Sequence, residues 1–205
     1  MSDLRSDLAL IAGLVPEGAR VLDVGCGDGA LLRHLVTGKG VTGRGLELSA
    51  ANVSACLAKG LSVVQGDADT DLADYPDNAF DVVILSQTIQ ATRSPGPVLG
   101  HLLRIGRSAV VSFANFGHWR ARLRLLGGRM PVPGPSESWH ATANLHPCTV
   151  KDFVALCGDV PAPIAGAWAL GNGAARAFTP GRGLANLRAE TAVFLLGRSA
   201  QFPFR

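Results

Sequence analysis

The sequence predicts an α/β fold with a doubly wound, mostly parallel sheet, and three observations support this prediction. Short apolar runs typical of buried strands alternate with helix-like segments at least four times along the chain. The first such strand ends in a glycine-rich turn that leads into a helix, where open α/β sheets bind ligands. The 205 residues are 47% hydrophobic and 17% charged, which is enough apolar sequence for a sizeable core and argues against disorder. We therefore expect a single domain over residues 1–205.

Each element is predicted from its own local pattern. Helices are assigned where apolar residues recur at spacings of three and four, and strands where a short apolar run stops at a glycine or an acid. Ser49 suits the N-cap of the third helix, Pro95 the first turn of the fourth, and Thr149 the N-cap of the last. The predicted helices cover residues 3–14, 29–37, 50–59, 95–104, 117–126 and 149–157. The predicted strands cover residues 21–24, 42–48, 61–65, 80–85, 108–113, 164–170 and 191–197.

Two stretches of the chain lack such patterns. Residues 127–148 are rich in Gly and Pro and predict a long loop, and a second, Gly- and Ala-rich loop precedes the final strand. Together with the helix before it, the first loop is expected to form an insertion around residues 115–148, on the acceptor or partner side of the domain.

Composition and cysteine spacing exclude several classes of protein. No apolar run approaches the ~18 residues that a membrane-spanning helix needs. The N-terminal residues lack the basic start and the apolar core of a signal peptide. The four cysteines are scattered and include no Cys-x-x-Cys pair, which predicts reduced thiols rather than a disulfide framework or a zinc site. We expect a cytoplasmic protein without a bound metal.

The net charge of +3 hides a division between the two halves of the chain. Residues 1–100 hold 12 acidic residues and 7 Lys or Arg, a net charge of −5, whereas residues 101–205 hold 4 and 12, a net charge of +8. No acidic residue lies between Asp81 and Glu137, a stretch that contains seven arginines. The two halves are therefore expected to face different partners.

The segment Val21–Gly29 (VLDVGCGDG) is the strongest chemical signal in the sequence. Gly25, Gly27 and Gly29 separate the first strand from the next helix, where glycines allow a ligand to approach the backbone and its N–H groups. Gly25-x-Gly27-x-x-Ala30 also fits the looser fingerprint of dinucleotide-binding proteins. The glycines alone therefore leave two ligands open, a dinucleotide and S-adenosylmethionine.

Three acidic residues at predicted strand ends favour S-adenosylmethionine over a dinucleotide. Asp23, two residues before Gly25, would repel a pyrophosphate but suits the amino group and sulfonium of S-adenosylmethionine. Glu47 ends the second strand, where its carboxylate can accept hydrogen bonds from both ribose hydroxyls. Asp67 follows the third strand, where it can accept from the adenine amino group, and a dinucleotide site has no need of that acid.

In these features the sequence resembles the class I S-adenosylmethionine-dependent methyltransferases. The resemblance implies a Rossmann-like, seven-stranded sheet whose last strand runs antiparallel, and residues 191–197 would supply that strand. It also implies bound S-adenosylmethionine or its demethylated product, S-adenosylhomocysteine. The expected ligand contacts are Asp23, Gly25, Cys26, Gly27, Gly29, Glu47, Leu48, Asp67, Ala68 and Gln87.

Four further motifs are SQTIQ at residues 86–90, NFGHWR at 115–120, GRMP at 128–131 and the segment from Trp139 to Phe153. In combination they resemble the MetW family of methionine biosynthesis proteins, over about residues 4–157. The segment from Trp139 to Phe153 departs from the family pattern at His140 and Ala143. The resemblance implies an accessory or regulatory partner of homoserine O-acetyltransferase, able to sense S-adenosylmethionine. The alternative is an active small-molecule methyltransferase.

No catalytic residue can be assigned from the sequence. The bases available on the acceptor side are His118, His140 and His146, and the pattern favours a hydrogen-bonded or partly buried loop histidine over a catalytic base at each position. Gln87 either contacts the ligand or caps the end of the fourth strand.

The predicted helix over residues 117–126 has two distinct faces. Arg120 and Arg124 lie on one face, and Trp119, Leu123 and Leu126 lie on the other. This pattern fits either an ordinary amphipathic helix with a solvated basic face or a docking surface for an acidic partner. Two roles are open for Trp119 and Trp139: they anchor a protein interface, or they pack in the core. Nucleic acid is disfavoured, because the basic stretch lacks interleaved surface aromatics and the chain has one Tyr.

Overall fold

The computed structural model describes residues 4–132, 138–171 and 174–197, which form one eight-stranded sheet flanked by helices. The strands are β1 (Arg20–Val24), β2 (Thr42–Glu47), β3 (Val63–Gln65), β4 (Phe80–Ser86), β5 (Gly106–Ala114), β6 (Ile164–Gly171), β7 (Ala174–Ala177) and β8 (Thr191–Gly197). The helices are α1 (Ser6–Leu14), α2 (Ala30–Lys39), α3 (Ala50–Ala58), α4 (Pro95–Ile105), α5 (Trp119–Leu126), α6 (Val150–Asp159) and α7 (Ala185–Arg188). No helix in these ranges is long and apolar enough to cross a membrane.

The predicted architecture is confirmed, with one strand more than the seven expected. The strand order is β3-β2-β1-β4-β5-β8-β6-β7, in which β1 to β5 pair in parallel and β8 runs antiparallel between β5 and β6. The additional strand, β7, pairs with β6 at the sheet edge, within the predicted Gly- and Ala-rich loop. Its sequence, AARA, has no alternation of apolar and polar residues and all four are exposed, so no strand pattern marks it.

Most predicted boundaries agree with the structure to within three residues. The predicted N-caps of α3 and α6 are confirmed, because the Ser49 and Thr149 hydroxyls accept hydrogen bonds from backbone N–H groups of the first turn. Strand β3 is two residues shorter than predicted. Helix α5 begins at Trp119 rather than Gly117, because the His118 imidazole forms its N-cap by accepting from a backbone N–H.

Both faces of the sheet are covered, so its central strands are mostly apolar and are buried on both sides rather than on alternate residues. On one face, Ile11 of α1 and Leu35 of α2 join Val21 in a cluster of buried side chains. On the other face, Leu102 of α4 and Phe153 of α6 belong to a second and larger cluster. This double covering is the doubly wound arrangement that the alternation of strands and helices predicts.

The parallel strands end at a common edge of the sheet, which we call the carboxyl edge. It consists of the segments that follow β1 to β4, namely residues 25–29, 48–49, 66–70 and 87–94. The N–H of Gly25 donates to the carbonyl oxygen of Leu46 at 2.7 Å, so the first of these segments is tied to the end of the neighbouring strand. Ligands of doubly wound sheets bind at this edge.

Candidate functional site

Three glycines shape the loop between β1 and α2. Gly25, Gly27 and Gly29 adopt left-handed backbone conformations, with φ of +70°, +57° and +77°. A Cβ at Gly25 would lie 2.4 Å from Thr88 Oγ1, whereas a Cβ at Gly27 would meet nothing within 4 Å. The backbone at Gly27 therefore borders open space. A Cβ at Gly29 would lie 2.5 Å from Leu61 Cδ1, so this glycine serves close packing instead.

Two buried carboxyl groups lie next to this loop. Asp23 in β1 is 2% exposed, and Glu47, the last residue of β2, is 8% exposed. Burial, followed by the negative charge of Glu47, raises the pKa of Asp23 to about 7. A buried carboxylate without a compensating positive charge is energetically costly. The pair therefore favours a positively charged ligand.

Hydrogen bonds hold the Glu47 carboxylate in one orientation. It accepts from the N–H of Gly27 at 2.8 Å, from the N–H of Ser49 at 2.9 Å and from the Asn52 amide at 3.3 Å. A carboxylate has about four acceptor positions. Glu47 therefore keeps capacity for a ligand hydroxyl while it fixes the glycine loop to the end of β2.

A cavity of about 220 Å³ opens between the ends of β1, β2 and β3. Its walls include Gly25, Glu47, Leu48, Asp67 and Ala68. Leu48 is exposed and offers an apolar surface to a flat ring. The Asp67 carboxylate accepts from the N–H of Asp69 at 2.9 Å and from the Arg93 guanidinium at 2.8 Å. A ligand amino group at Asp67 would therefore share this carboxylate with Arg93.

A second cavity, of about 160 Å³, adjoins the first, since Gly25 lines both. Its walls also include Arg5, Asp23, Cys26, Gly27 and Gln87. The Cys26 thiol is buried, and its burial raises its pKa, so it remains protonated at neutral pH. It contributes shape to this cavity rather than a nucleophile.

Gln87 lies where the second cavity meets a larger cleft. Its φ of +55° is left-handed, which is uncommon outside glycine. The conformation is held by the Gln87 N–H, which donates to the Ser112 carbonyl oxygen at 2.9 Å. Gln87 lines both the second cavity and a cleft of about 740 Å³. Backbone strain of this kind, worth about 1–3 kcal/mol, clusters at functional sites.

Nine of the ten ligand contacts predicted from the sequence line the two adjoining cavities. Five line the first cavity, namely Gly25, Glu47, Leu48, Asp67 and Ala68. The second cavity adds Asp23, Cys26, Gly27 and Gln87. The exception is Gly29, which is the N-cap of α2 and packs against Leu61.

Sequence reasoning missed the contribution of α1 and of the segment after β4. Arg5 lines the second cavity and the large cleft, and its guanidinium donates two hydrogen bonds to Asp7, at 3.0 and 2.9 Å. Asp7 is buried although it is an acid in a helix. Its position four residues before the buried Ile11 puts it on the inner face of α1, which is a usable sequence signal. Arg93 belongs to the acid-free stretch, and nothing in the sequence indicates its pairing with Asp67.

The lining residues of these two cavities include none of the three candidate bases. His118 caps α5 and lines a separate cavity of about 400 Å³, and burial lowers its pKa. His146 Nε2 lies 3.2 Å from the Arg93 carbonyl oxygen, a contact that joins two loops. His140 is exposed. No catalytic residue is assigned.

Helix α5 is not the ordinary amphipathic helix that buries its apolar face. Within the described structure none of its residues is buried. Trp119 is 45% exposed and Trp139 is 71% exposed, so the core role considered for both tryptophans is wrong.

Comparison with known proteins identifies relatives of the chain. Residues 5–196 match the family model of methionine biosynthesis protein MetW. The chain is 35% identical over 168 residues to the bifunctional methionine biosynthesis protein MetXA/MetW of Rhodopirellula baltica. That match covers 77% of this chain but 27% of the relative, so the chain spans about a quarter of that protein's length.

Solved structures share the fold at low sequence identity. A methyltransferase from Thermotoga maritima, described as S-adenosylmethionine-dependent, superposes with a TM-score of 0.68 at 17% identity, covering 93% of this chain and 87% of that one. Another, from Archaeoglobus fulgidus, gives 0.69 at 14% identity, with coverages of 95% and 92%. These neighbours establish the class I methyltransferase fold, and the match to the family model identifies the chain as a member of the MetW family of methionine biosynthesis proteins.

Proposed function

We propose that the carboxyl edge binds S-adenosylmethionine or S-adenosylhomocysteine. The observation that carries this proposal is the buried pair of Asp23 and Glu47, where the pKa of Asp23 is raised to about 7 beside an open glycine loop. A cation at this position favours the ionised form of Asp23. S-adenosylmethionine offers such charge on its amino group and its sulfonium, whereas a pyrophosphate would be repelled. The residues present therefore fit a cationic nucleoside.

Within this proposal the predicted residues have distinct roles. Asp23 compensates the positive charge of the methionine part, and Glu47, which already accepts three hydrogen bonds, accepts a further one from a ribose hydroxyl. Asp67 accepts from the adenine amino group beside Arg93. Leu48 packs against the adenine ring at the rim of the first cavity. When bound, S-adenosylmethionine supplies an electrophilic methyl group on its sulfonium.

The second part of the proposal is an accessory or regulatory role toward homoserine O-acetyltransferase. The Rhodopirellula baltica relative, whose name joins MetXA and MetW in one chain, supports an association between the two functions. The charge division supports it as well, because the acidic half supplies the ligand site and the basic half stays available for a protein surface. In this role the nucleoside acts as a signal.

A small-molecule methyltransferase is the second candidate, and the large cleft favours it. The cleft of about 740 Å³ shares Arg5 and Gln87 with the second cavity, so an acceptor in the cleft would lie beside the proposed ligand. Asp7 and Glu190 add polar groups to its wall. Methyl transfer requires chiefly that donor and acceptor are positioned.

Calorimetric titration with S-adenosylmethionine tests the ligand site. We expect Asp23→Ala and Glu47→Ala each to weaken binding by about 1–3 kcal/mol, the cost of removing a hydrogen bond to a charged group. Glu17→Ala removes an exposed acid outside both cavities and should bind like the wild type. Unchanged affinity in both carboxylate variants would contradict the residue assignment.

Co-purification with the acetyltransferase of the same organism separates the two candidate functions. The accessory role predicts a complex of the two proteins, or a changed rate of the acetyltransferase when this protein is added. If neither is found, the accessory role is wrong. Transfer of a labelled methyl group from S-adenosylmethionine to a small molecule would instead favour the second candidate.

A further inference from the structure

Helix α5 buries none of its residues against the rest of the described structure. Its eight residues, WRARLRLL, are all exposed except Ala121, which is half-buried. Isolated helices shorter than about 12–15 residues are marginal in water, because few hydrogen bonds offset the nucleation penalty. A helix of this length therefore depends on tertiary contacts, and the described residues supply them mainly at its N-terminal end.

The apolar side chains of α5 form an outward-facing stripe. Trp119, Leu123 and Leu126 are spaced by four and three residues, so they share one side of the helix. Leu126 is 83% exposed and Leu123 is 56% exposed. Arg120 and Ala121, on another side, line the cavity of about 400 Å³ next to the protein body. The apolar side of α5 thus faces solvent, whereas an ordinary surface helix turns its apolar side toward the core. Exposed apolar surface of this kind marks interaction sites.

Hydrogen bonds anchor the segment that leads into α5. The buried Asn115 amide donates to the carbonyl oxygens of Asn186 and Ala189 at 3.0 and 2.8 Å. Its oxygen accepts from the N–H groups of Gly117 and Val150 at 3.0 and 3.1 Å. These hydrogen bonds connect the end of β5 to α6 and α7, so the stripe is held in a defined orientation. Such preorganisation reduces the entropy lost on binding.

Arginines alternate with apolar residues along α5, and Arg129 follows three residues after Leu126. In the described part of the chain, Arg122, Arg124 and Arg129 form no salt bridge, whereas Arg120 lies 3.5 Å from Glu190. The segment from α5 to residue 132 contains no acidic residue. Uncompensated charge at the rim of an apolar surface selects a partner of opposite charge.

We propose that the α5 surface, meaning the stripe of Trp119, Leu123 and Leu126 with its arginine rim, docks a protein whose surface offers an apolar groove edged by carboxylates. The inference rests on the proposed accessory role, so the acetyltransferase is the partner expected to carry this groove. Trp and Arg are enriched among the residues that dominate binding energy, and α5 presents both. Trp119 also stacks with the Arg120 guanidinium, 5.2 Å from its ring centroid, which stiffens the edge of the stripe.

Other occupants fit this surface less well. In a two-fold symmetric dimer the same patch meets itself, so the arginine rims of two copies would face and repel one another. Nucleic acid would neutralise the arginines but leave the leucines without an apolar partner. An acidic groove in another protein satisfies both the charge and the apolar stripe.

The affinity of the purified acetyltransferase for the full chain tests the docking surface, measured by interferometry at low and high salt. We expect Leu123→Glu to weaken binding at least ~30-fold, as expected for a residue at the centre of an interface. The matched control is Leu57→Glu in α3, because Leu57 is 55% exposed and Leu123 is 56% exposed. A second probe, Arg129→Glu, should weaken binding several-fold and reduce its dependence on salt. All variants should keep the wild-type affinity for S-adenosylmethionine, which demonstrates that they fold.

The outcomes separate the docking surface from the accessory role. If the wild type binds the acetyltransferase and both Leu123→Glu and Arg129→Glu bind equally well, the docking surface is wrong and the accessory role stands. If the wild type does not bind the acetyltransferase, the accessory role is wrong and the docking proposal fails with it. Two further outcomes overturn the proposal if the variants bind the acetyltransferase as the wild type does. One is a wild-type dimer that becomes monomeric in Leu123→Glu. The other is binding of duplex DNA that is lost in Arg129→Glu.

Discussion

At the carboxyl edge two carboxyl side chains are buried and one of them, Glu47, is held by hydrogen bonds, whereas on α5 charged side chains stand in solvent beside exposed leucines. Asp23 and Glu47 are nearly inaccessible, and the glycine loop around them is folded tightly against the segment after β4. On α5, Leu126 is almost fully exposed and no residue of the helix is buried in the described structure. Both regions carry charge, but of opposite sign and in opposite environments.

The difference supports the ligand that we propose for one region and the protein partner that we propose for the other. Small-molecule sites are concave, with a few convergent polar groups fixed in place, and the two cavities at the carboxyl edge have this character. Protein interfaces combine an apolar centre with a polar rim, which is the arrangement on α5. Four measurements can break or sharpen this comparison.

The largest effect is expected from glycine substitutions, which act differently in the two regions. Gly25 and Gly128 have almost the same φ, +70° and +71°, but a Cβ would meet Thr88 Oγ1 at 2.4 Å in the first and nothing within 4 Å in the second. Gly25→Ala adds overpacking of about 1–3 kcal/mol to a left-handed penalty of about 1–2 kcal/mol. We expect urea titration to show a loss of about 2–5 kcal/mol in unfolding free energy for Gly25→Ala and about 1–2 kcal/mol for Gly128→Ala. Equal losses would mean that the glycine loop is not tightly packed.

An intermediate effect is expected from pH, and only at the carboxyl edge. Because the pKa of Asp23 is raised to about 7, the carboxyl is protonated below neutrality and must ionise to pair with a cation. The affinity for S-adenosylmethionine should therefore fall by up to about tenfold per pH unit below pH 7 and level off above it. Calorimetry from pH 5.5 to 8.5 measures this affinity. In Asp23→Asn the affinity should no longer depend on pH below 7.

The same shift affects the stability of the ligand-free protein. A carboxyl with a raised folded-state pKa stabilises the fold when protonated, and this contribution is lost as the pH rises from the unfolded value of 3.8 toward about 7. The stability of the wild type relative to Asp23→Asn should therefore decrease over that window. A relative stability that increases over the same window would contradict the burial of an uncompensated Asp23.

The smallest effect is expected on α5. Leu126→Ser should change the unfolding free energy by no more than about 0.5 kcal/mol, because an 83% exposed side chain has little packing to lose. Leu102→Ala in α4, at a fully buried position, should cost about 2–5 kcal/mol in the same urea titration. A large loss in Leu126→Ser would show that α5 packs against its own chain and would remove the contrast.

The sequence predicts the carboxyl edge better than it predicts α5, for a physical reason. The proposed ligand contacts at strand ends follow from topology, because parallel strands bring residues as distant as Asp23, Glu47 and Asp67 to one edge. Helical spacing tells which residues of α5 share a side, but it does not tell whether that side is covered. The exposure of Trp119 therefore had to come from the structure.

Other differences between the sequence-based predictions and the structure also have physical causes. Strand β7 has no apolar alternation because it lies exposed at the sheet edge, so its sequence resembles a loop. The pairing of Arg93 with Asp67 spans 26 residues and depends on how two loops meet, which no local pattern encodes. The buried Asp7 is different, since its place in the apolar spacing of α1 marks it as unusual.

Parallel measurement of two affinities in two variants tests the central claim that ligand and partner bind at separate surfaces. Without S-adenosylmethionine present, Asp23→Ala should bind the acetyltransferase like the wild type, and it should bind S-adenosylmethionine more weakly by about 1–3 kcal/mol. Leu123→Glu should show the reverse, with normal ligand affinity and weakened enzyme binding. If one variant lost both affinities while remaining folded, or if neither variant lost either, the division between the carboxyl edge and α5 would be contradicted.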